Sequence, residues 1–271
     1  MPRPCPAGTA AAPTIGWSST TKPPSTRRSR CAKTSSPTPP HELRTPLTII
    51  NGYTENLLDG AIEDPEMAKR FLSVMKKHGD RIARIIEDML TISRLESGGV
   101  ESLKLEEFSM AECAADVIER LHLVAEERGA KIKRDFPKDS MITGDRFYWD
   151  QIMFNLIENA LKQNRQPGLT VSVSMRWDGA YFELSVGDDG IGIPGADLPY
   201  IFKRFYRVEK HHSTQEIKGT GLGLSIVKRA IEAHGGTINV SSSPGKETRF
   251  TIRAPREPKR EEMLPLEEKV S

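Results

Sequence analysis

The chain has 271 residues, with 39 Lys and Arg against 37 Asp and Glu for a formal net charge of +2. That balance, without a long like-charge run, gives no general case for a nucleic-acid partner or a charged binding tail. Cys5, Cys31 and Cys113 are scattered without metal-ligand spacing, which reads as a reduced, cytosolic setting, and no apolar run approaches the ~18–20 residues of a membrane helix.

Residues 1–40 are rich in Pro, Ser, Thr and Arg and carry almost no periodic apolar residues. Their composition predicts a disordered leader, and it holds no apolar signal-peptide core. From His41 to about Gly60, Leu43, Leu47, Ile50, Tyr53 and Leu57 recur at spacings of three and four, one face of a helix. Pro46 lies inside it, removes a backbone donor, and should bend the helix just after His41. A second run, Phe71, Met75, His78, Ile82, Ile85, Met89 and Ile92, keeps heptad spacing and reads as a packing seam. Two antiparallel helices cannot bury a full core alone, so the hairpin, 41–97, is expected to pair with a second copy as a four-helix bundle. Ser97-Gly98-Gly99 marks an exit and hinge, and 98–107 reads as a linker.

Residues 108–254 alternate between helix and strand. Helices are predicted over Met110–Arg128, Asp145–Asn164 and Leu222–His234, the last ended by Gly235-Gly236. Strands are predicted over Lys131–Phe136, Leu169–Arg176, Tyr181–Val186, Thr237–Ser241 and Thr248–Arg253, with a hairpin turn through Asp178-Gly179. The fold class is therefore α+β: a helical hairpin followed by an α/β sandwich rather than a doubly wound sheet. Residues 255–271 form a charged tail.

Three segments of this second domain carry chemistry. Asn155 and Asn159 lie four apart on one helix face, where a neutral amide oxygen can complete the shell of Mg²⁺. Lys162, one turn on, can reach a phosphate as a point charge. Asp188 ends a buried strand, and Gly190 and Gly192 let the backbone approach a flat base whose exocyclic amine the carboxylate can accept. Gly219, Gly221 and Gly223 precede a helix whose free N–H groups favour phosphate, with Leu222 and Leu224 between and beyond them. A Gly-x-Gly-x-Gly string alone is commonly a turn; its order after the other two segments gives it weight. His41 is followed directly by Glu42, with Thr45 one turn later. A single His-Glu pair on a helix is ordinarily a surface ion-pair former, and only the later segments raise it above that. His78 falls on the apolar seam, and His122, His211, His212 and His234 lack a carboxylate neighbour at a helix start, so none is given a role.

With these motifs in order, roughly residues 41–254 resemble a sensor histidine kinase of two-component systems. The likeness rests on the phosphoacceptor box His41–Leu47, the N box around Asn155–Ala160 and the G1 box Asp188–Gly192. It includes an F-box-like segment Ile201–Arg207 and the G2 box Gly219–Leu224. The resemblance implies a dimeric hairpin joined to a Bergerat-type ATP-binding sandwich, with a mobile lid near Phe205–Lys218. It implies that His41 accepts the γ-phosphoryl group of ATP, that Glu42 is the general base, and that Thr45 helps orient water in dephosphorylating a partner response regulator. It further implies that Asn159 holds Mg²⁺, Asp188 the adenine, and Lys162 and Arg207 the phosphates. The partners implied are a response-regulator receiver domain and a second copy of the chain. One departure is that Gln163-Asn164 follow Lys162 where the family often has an aromatic residue over adenine, which would lower nucleotide affinity unless another side chain covers the ring. As written the chain reads as cytoplasmic; a membrane anchor in a longer parent protein stays open. The alternatives are an ATPase of the chaperone, topoisomerase or serine-kinase type, which shares the sandwich without the hairpin, and a fragment unable to dimerise.

The resemblance also offers an origin for the leader. Residues 31–40 can be back-translated with codons that, read from the third base, give Arg-Lys-Asp-Phe-Ile-Ala-Asp-Ala-Ser, which looks like the lead-in to the family's His box. Residues 1–40 are therefore expected to be a reading-frame product that replaces an upstream continuation of the first helix.

Overall fold

The computed structural model describes residues 39–98, 103–164, 168–208 and 219–258, with backbone only at 39–41. Residues 1–38 of the expected leader and the reading-frame explanation, residues 209–218 of the expected lid, and the chain beyond 258 lie outside the described residues; Pro39 and Pro40, the last two of the expected leader, are helical instead.

Helix α1, Pro39–Leu58, runs through Pro46 as a single helix. Proline has no N–H for the carbonyl four residues back, so the Glu42 carbonyl loses its helical donor there. A 3₁₀ turn, Ala61–Glu63, reverses the chain into α2, Pro65–Gly98. Its start is set by Asp64, whose Oδ1 accepts from the N–H groups of Glu66 at 3.0 Å and Met67 at 3.2 Å, with proline at the first helical position. The helices pack antiparallel: the Tyr53 and Phe71 ring centroids are 4.8 Å apart near the turn, and Glu42 meets Arg81 further along.

The second domain is a sheet covered by helices on one face. Strands β2 (Lys131–Asp135), β4 (Thr170–Asp178), β5 (Tyr181–Asp188), β7 (Glu247–Pro255) and β6 (Thr237–Ser243) lie in the order β2-β4-β5-β7-β6. Only β2 and β4 run parallel. Strand alternation puts Val171, Val173, Met175, Phe182, Leu184, Val186, Phe250 and Ile252 on the inner face. Against it pack α3 (Met110–Arg120), α5 (Arg146–Gln163) and α6 (Gly223–Ala233), with Trp149 5.3 Å from the Phe182 ring. The β4–β5 turn closes at Asp178 and Tyr181, with Gly179 at φ 62° supplying the left-handed conformation a two-residue hairpin requires.

The structure departs from the sequence reading in three places. The helix expected over Met110–Arg128 breaks at the buried Leu121 into α3 and α4 (His122–Glu127). Two four-residue strands were not anticipated: β1 (Glu106–Ser109) and β3 (Met141–Gly144), which pair antiparallel. The α2 seam does not serve a single partner either. Ile85 and Ile92 are buried with Phe205, Leu222 and Ile226 of the second domain, while Leu72, Ile86 and Leu90 stay about half exposed.

Among the described residues no helix is long and apolar enough to cross a membrane. Cys113 is buried, which pushes its thiol up to about 12 and leaves it unreactive.

His234, given no role from sequence, joins α6 to α5. Its Nδ1–H donates to the Ala230 carbonyl at 2.7 Å, so its Nε2 accepts from the Asp145 N–H at 3.0 Å. Burial disfavours the imidazolium and lowers its pKa from 6.5. The unfolded chain therefore takes up a proton more readily than the folded one. The stabilisation is complete above about pH 6.5 and is lost as pH falls toward the lower folded value. His234→Gln should cost about 1–3 kcal/mol at pH 8 and show a flatter fall in Tm below pH 6.5 than the parent. Parallel Tm–pH curves by calorimetry would remove His234 as the source of that slope.

Candidate active site

The site is assembled around α5. Asp145 caps the helix, its Oδ1 accepting from the Phe147 N–H at 3.1 Å and its Oδ2 from the Lys104 N–H at 2.9 Å. Eight residues of α5, from Tyr148 to Leu161, are buried, which leaves Asn155, Glu158, Asn159 and Lys162 as a polar stripe.

At one end of this stripe, Asn155 lies against the start of α6. A Cβ at Gly223 would sit 3.1 Å from Asn155 Oδ1, so glycine is what lets the two elements approach. Asn155 Nδ2 is buried and lacks a partner among the described residues. Asn159 is half-buried one turn on, and Lys162 is exposed, paired with Glu158 at 2.7 Å. That pair, i to i+4 on a helix surface, is worth about 0.3–0.5 kcal/mol and leaves the ammonium free to exchange toward a phosphate.

At the other end, Asp188 leaves β5 beneath the C-terminus of α5. Its Oδ1 accepts from Asn164 Nδ2 and from the Gly190 N–H, both at 3.1 Å. Burial raises the Asp188 pKa above the ordinary carboxylate value, and those two hydrogen bonds oppose the rise. A Cβ on Gly190 would fall 1.8 Å from Asn164 Oδ1, and one on Gly192, at φ 65°, would fall 2.2 Å from the Ser243 carbonyl. Both glycines are steric necessities of this corner. Gln163 is exposed, whereas Asn164 is buried, so of the departing pair it is the second that enters the site.

The glycine turn before α6 is held from two sides. Thr220 Oγ1 donates to Asp88 Oδ2 on α2 at 2.8 Å and accepts from the Leu222 N–H at 3.2 Å. Phe205 N–H donates to the Gly221 carbonyl at 2.9 Å, with Phe205 itself at φ 60°. Leu222 is sealed against Ile85 and Ile92, so its side chain faces the hairpin and only its backbone is available to a ligand; Leu224 is half-buried and Gly219 exposed. Among the described residues α6 has no side-chain cap, and its first N–H groups remain available to an anion.

On the hairpin, the side chain of His41 lies outside the described part of the structure. Glu42 is half-buried and its Oε2 accepts from Arg81 Nη2 at 3.0 Å. Arg207, beyond Phe205, lies within electrostatic range of both Arg81 and Glu42, which sets this end of the second domain facing the acceptor helix. Thr45 is exposed on α1. The sequence pointed to Glu42, Asp188 and both asparagines; it met Asn164 only within a departure from the family pattern, with no contact assigned, and gave no sign of Arg81 or Asp88. Each of these three acts through contacts 24 to 132 residues away in the chain.

A one-faced sheet carrying an anion-ready helix start and a half-buried carboxylate beside close-approach glycines defines a nucleotide-binding sandwich, here linked to an acceptor-type hairpin. Comparisons agree domain by domain. A family model described as "His Kinase A (phospho-acceptor) domain" matches residues 40–98. One described as "Histidine kinase-, DNA gyrase B-, and HSP90-like ATPase" matches residues 144–258. The sensor histidine kinase WalK of Bacillus subtilis (strain 168) is 36% identical over 216 residues, 79% of this chain and 35% of that protein. Acinetobacter baumannii histidine kinase AdeS superposes with a TM-score of 0.63 at 26% identity, covering 80% of this chain and 98% of that one. Full-length ShkA, solved in complex with AMPPNP, gives 0.60 at 27% identity, over 79% and 44%. The chain thus carries a His Kinase A phospho-acceptor domain followed by a histidine kinase-like ATPase domain, and is similar to sensor histidine kinases. It spans about a third of the length of the curated relatives it matches.

Gly190 tests the geometry of this corner without any ligand. Gly190→Ala should lower Tm by several degrees, about 1–3 kcal/mol, because the methyl collides with a buried, hydrogen-bonded amide. Gly195→Ala, with open space around its Cβ, should leave Tm within about 1 °C. Equal melting of the two variants by scanning calorimetry would show that Asn164 swings aside freely.

Proposed function

We propose that this chain is an ATP-dependent histidine autokinase that passes phosphate from His41 to an aspartate on a separate response-regulator receiver domain. The observation that carries the reading is the convergence on α5 of two distant segments, the Asp188–Gly192 corner and the Gly219–Gly223 turn, in a chain that also bears His41-Glu42 on a hairpin. In this reading Asp188 accepts from the adenine amine, and the N-terminus of α6 with Lys162 and Arg207 takes the phosphates. Asn159, with Asn155 beside it, supplies amide oxygen to Mg²⁺. An ion held there would offset phosphate charge.

Phosphoryl transfer requires positioning and charge neutralisation more than covalent assistance. One ring nitrogen of His41 attacks the γ-phosphorus in line, the bond to the β,γ-bridging oxygen breaks, and ADP leaves. Glu42 orients and takes the proton of the other nitrogen. In the structure Arg81 engages Oε2 of Glu42, which holds the carboxylate and leaves Oε1 as the oxygen for the His41 ring. Transfer to the receiver then breaks the P–N bond and forms an acyl phosphate. Thr45, one turn past His41, would orient water for hydrolysis of the regulator's acyl phosphate, a phosphatase reaction separate from the transfer. The half-exposed Leu72, Ile86 and Leu90 of α2 give a second copy an apolar stripe for a four-helix bundle.

His41→Gln should abolish acid-labile labelling from radiolabelled ATP while leaving nucleotide affinity within about twofold, since acceptor and nucleotide site lie on separate elements. Acid-labile phosphate persisting on that variant would overturn the assignment, and ATP hydrolysis without any phosphohistidine in the parent would favour a simple ATPase.

Thr45→Ala should depress dephosphorylation of the phosphorylated regulator by about tenfold or more while autophosphorylation changes by less than about threefold. Matched losses in both assays would make Thr45 a helix-packing residue.

A further inference from the structure

Asn164 is buried to 3% exposure at the end of α5, in the pair Gln163-Asn164 that departs from the family pattern. All its hydrogen-bonding capacity toward the chain is directed. Nδ2 donates to the Ala160 carbonyl at 2.7 Å and to Asp188 Oδ1 at 3.1 Å, and Oδ1 accepts from the Ile191 N–H at 2.6 Å. Turning the amide over would set its oxygen against a carbonyl and a carboxylate and its NH₂ against an N–H, three repulsive contacts for three favourable ones. Its orientation is therefore fixed. The second bond on Asp188, from the Gly190 N–H, also falls on Oδ1, so among the described residues Oδ2 receives no donor. Gly190 has no Cβ because this amide fills the space.

We propose that Asn164 is a positioning residue for base recognition, holding the Asp188 carboxylate through Oδ1 so that Oδ2 is presented to the exocyclic amine of adenine. The inference rests on the ATP-site reading above. The same bond bears on charge. Asp188 is half-buried and has Asp189 as a like-charged neighbour; partial loss of water and that neighbour both favour the protonated acid, while Asn164 and Gly190 are the two donors that oppose it. A protonated Asp188 would offer a donor to an amine that is itself a donor. Asn164 thus keeps the pocket an acceptor, the polarity that suits a 6-amino purine and not a 6-oxo one.

The test is calorimetric titration of the full chain with Mg²⁺ and AMPPNP from pH 6 to 8, for the parent, Asn164→Ala, Asn164→Asp and Asp188→Asn. Asn164→Ala should bind about tenfold more weakly at neutral pH, and its affinity should begin to fall at a higher pH than the parent's, because Asp188 has lost a donor. Asn164→Asp conserves shape and the acceptor for Ile191, so it tests the donor even if the alanine variant folds poorly. It should be weakened at pH 8 and recover in part toward pH 6, when a shared proton restores a donor between the two carboxyls. If Asp188→Asn loses binding but both Asn164 variants track the parent's pH profile, Asn164 is packing only and the proposal falls alone. Failure of the parent to bind AMPPNP, or undiminished binding by Asp188→Asn, would overturn the ATP-site reading and this inference together.

Discussion

The arrangement depends on where α5 is allowed to be polar. It is wedged between the inner face of the sheet, α3 and α6, so that Trp149, Ile152, Met153, Leu156, Ile157 and Leu161 are all essentially inaccessible. Each such side chain contributes roughly 1.5–3 kcal/mol on burial, which fixes the helix in rotation as well as position. The polar residues that remain are therefore aimed, not merely exposed. Asn155 is delivered to the start of α6 and Asn164 to the end of β5, so one rigid helix spans both halves of the site.

The hairpin is coupled to that site through a second, smaller core. Ile85 and Ile92 of α2 meet Phe205, Leu222 and Ile226, and Asp88 holds Thr220 in the glycine turn. Glu96 at the end of α2 pairs with Arg204 and, at 3.1 Å, with Arg229 on α6. The backbone that would receive phosphate is therefore braced on one side by the acceptor hairpin. Gly221 takes φ 74° with the Phe205 backbone 2.9 Å from where its Cβ would be, so any change in the turn is transmitted to Phe205 and onward to α2. Burial raises the Asp88 pKa, so the bond to Thr220 joins a carboxylate already poor in water to the one hydroxyl that also caps Leu222.

Long periodic elements were legible in the sequence because burial repeats along them. Both hairpin helices, α5, α6 and the β4–β5 hairpin followed from spacing and turn residues. Strands β1 and β3 were not legible, since four residues hold only two alternations, and their pairing joins segments 32 to 38 positions apart. The break at Leu121 was hidden because α3 and α4 bury a shared face, and the dihedral change falls on one apolar residue that fits either reading. The sharing of the α2 seam between the hairpin and the second domain was invisible for a related reason. A heptad states that a face is buried, not what covers it. Within the site, Glu42, Asp188 and the asparagines of α5 were singled out because their motifs are local in sequence, whereas the contacts that Asn164, Arg81 and Asp88 make with distant segments were not legible.

A buried polar atom without a partner marks the site only in company with other features. Asn155 Nδ2 and Trp149 Nε1 are both such atoms, and each lies on a residue crowded by a glycine, Gly223 in one case and Gly144 in the other. Leaving either donor unmet costs about 1–3 kcal/mol, so local accounting treats them alike. Their surroundings do not. Trp149 is enclosed by the Phe182 and His234 rings, 5.3 and 5.2 Å away, where an indole is retained for its apolar bulk and nothing can enter. Asn155 lies on a stripe that continues to Asn159 and Lys162 and opposes an uncapped helix start. There the unmet amide adjoins the uncapped N–H groups at the start of α6, donors of the same polarity that a single polyanion would satisfy together. The cost is a packing compromise in the first case and, in the second, what the proposed phosphate site would require.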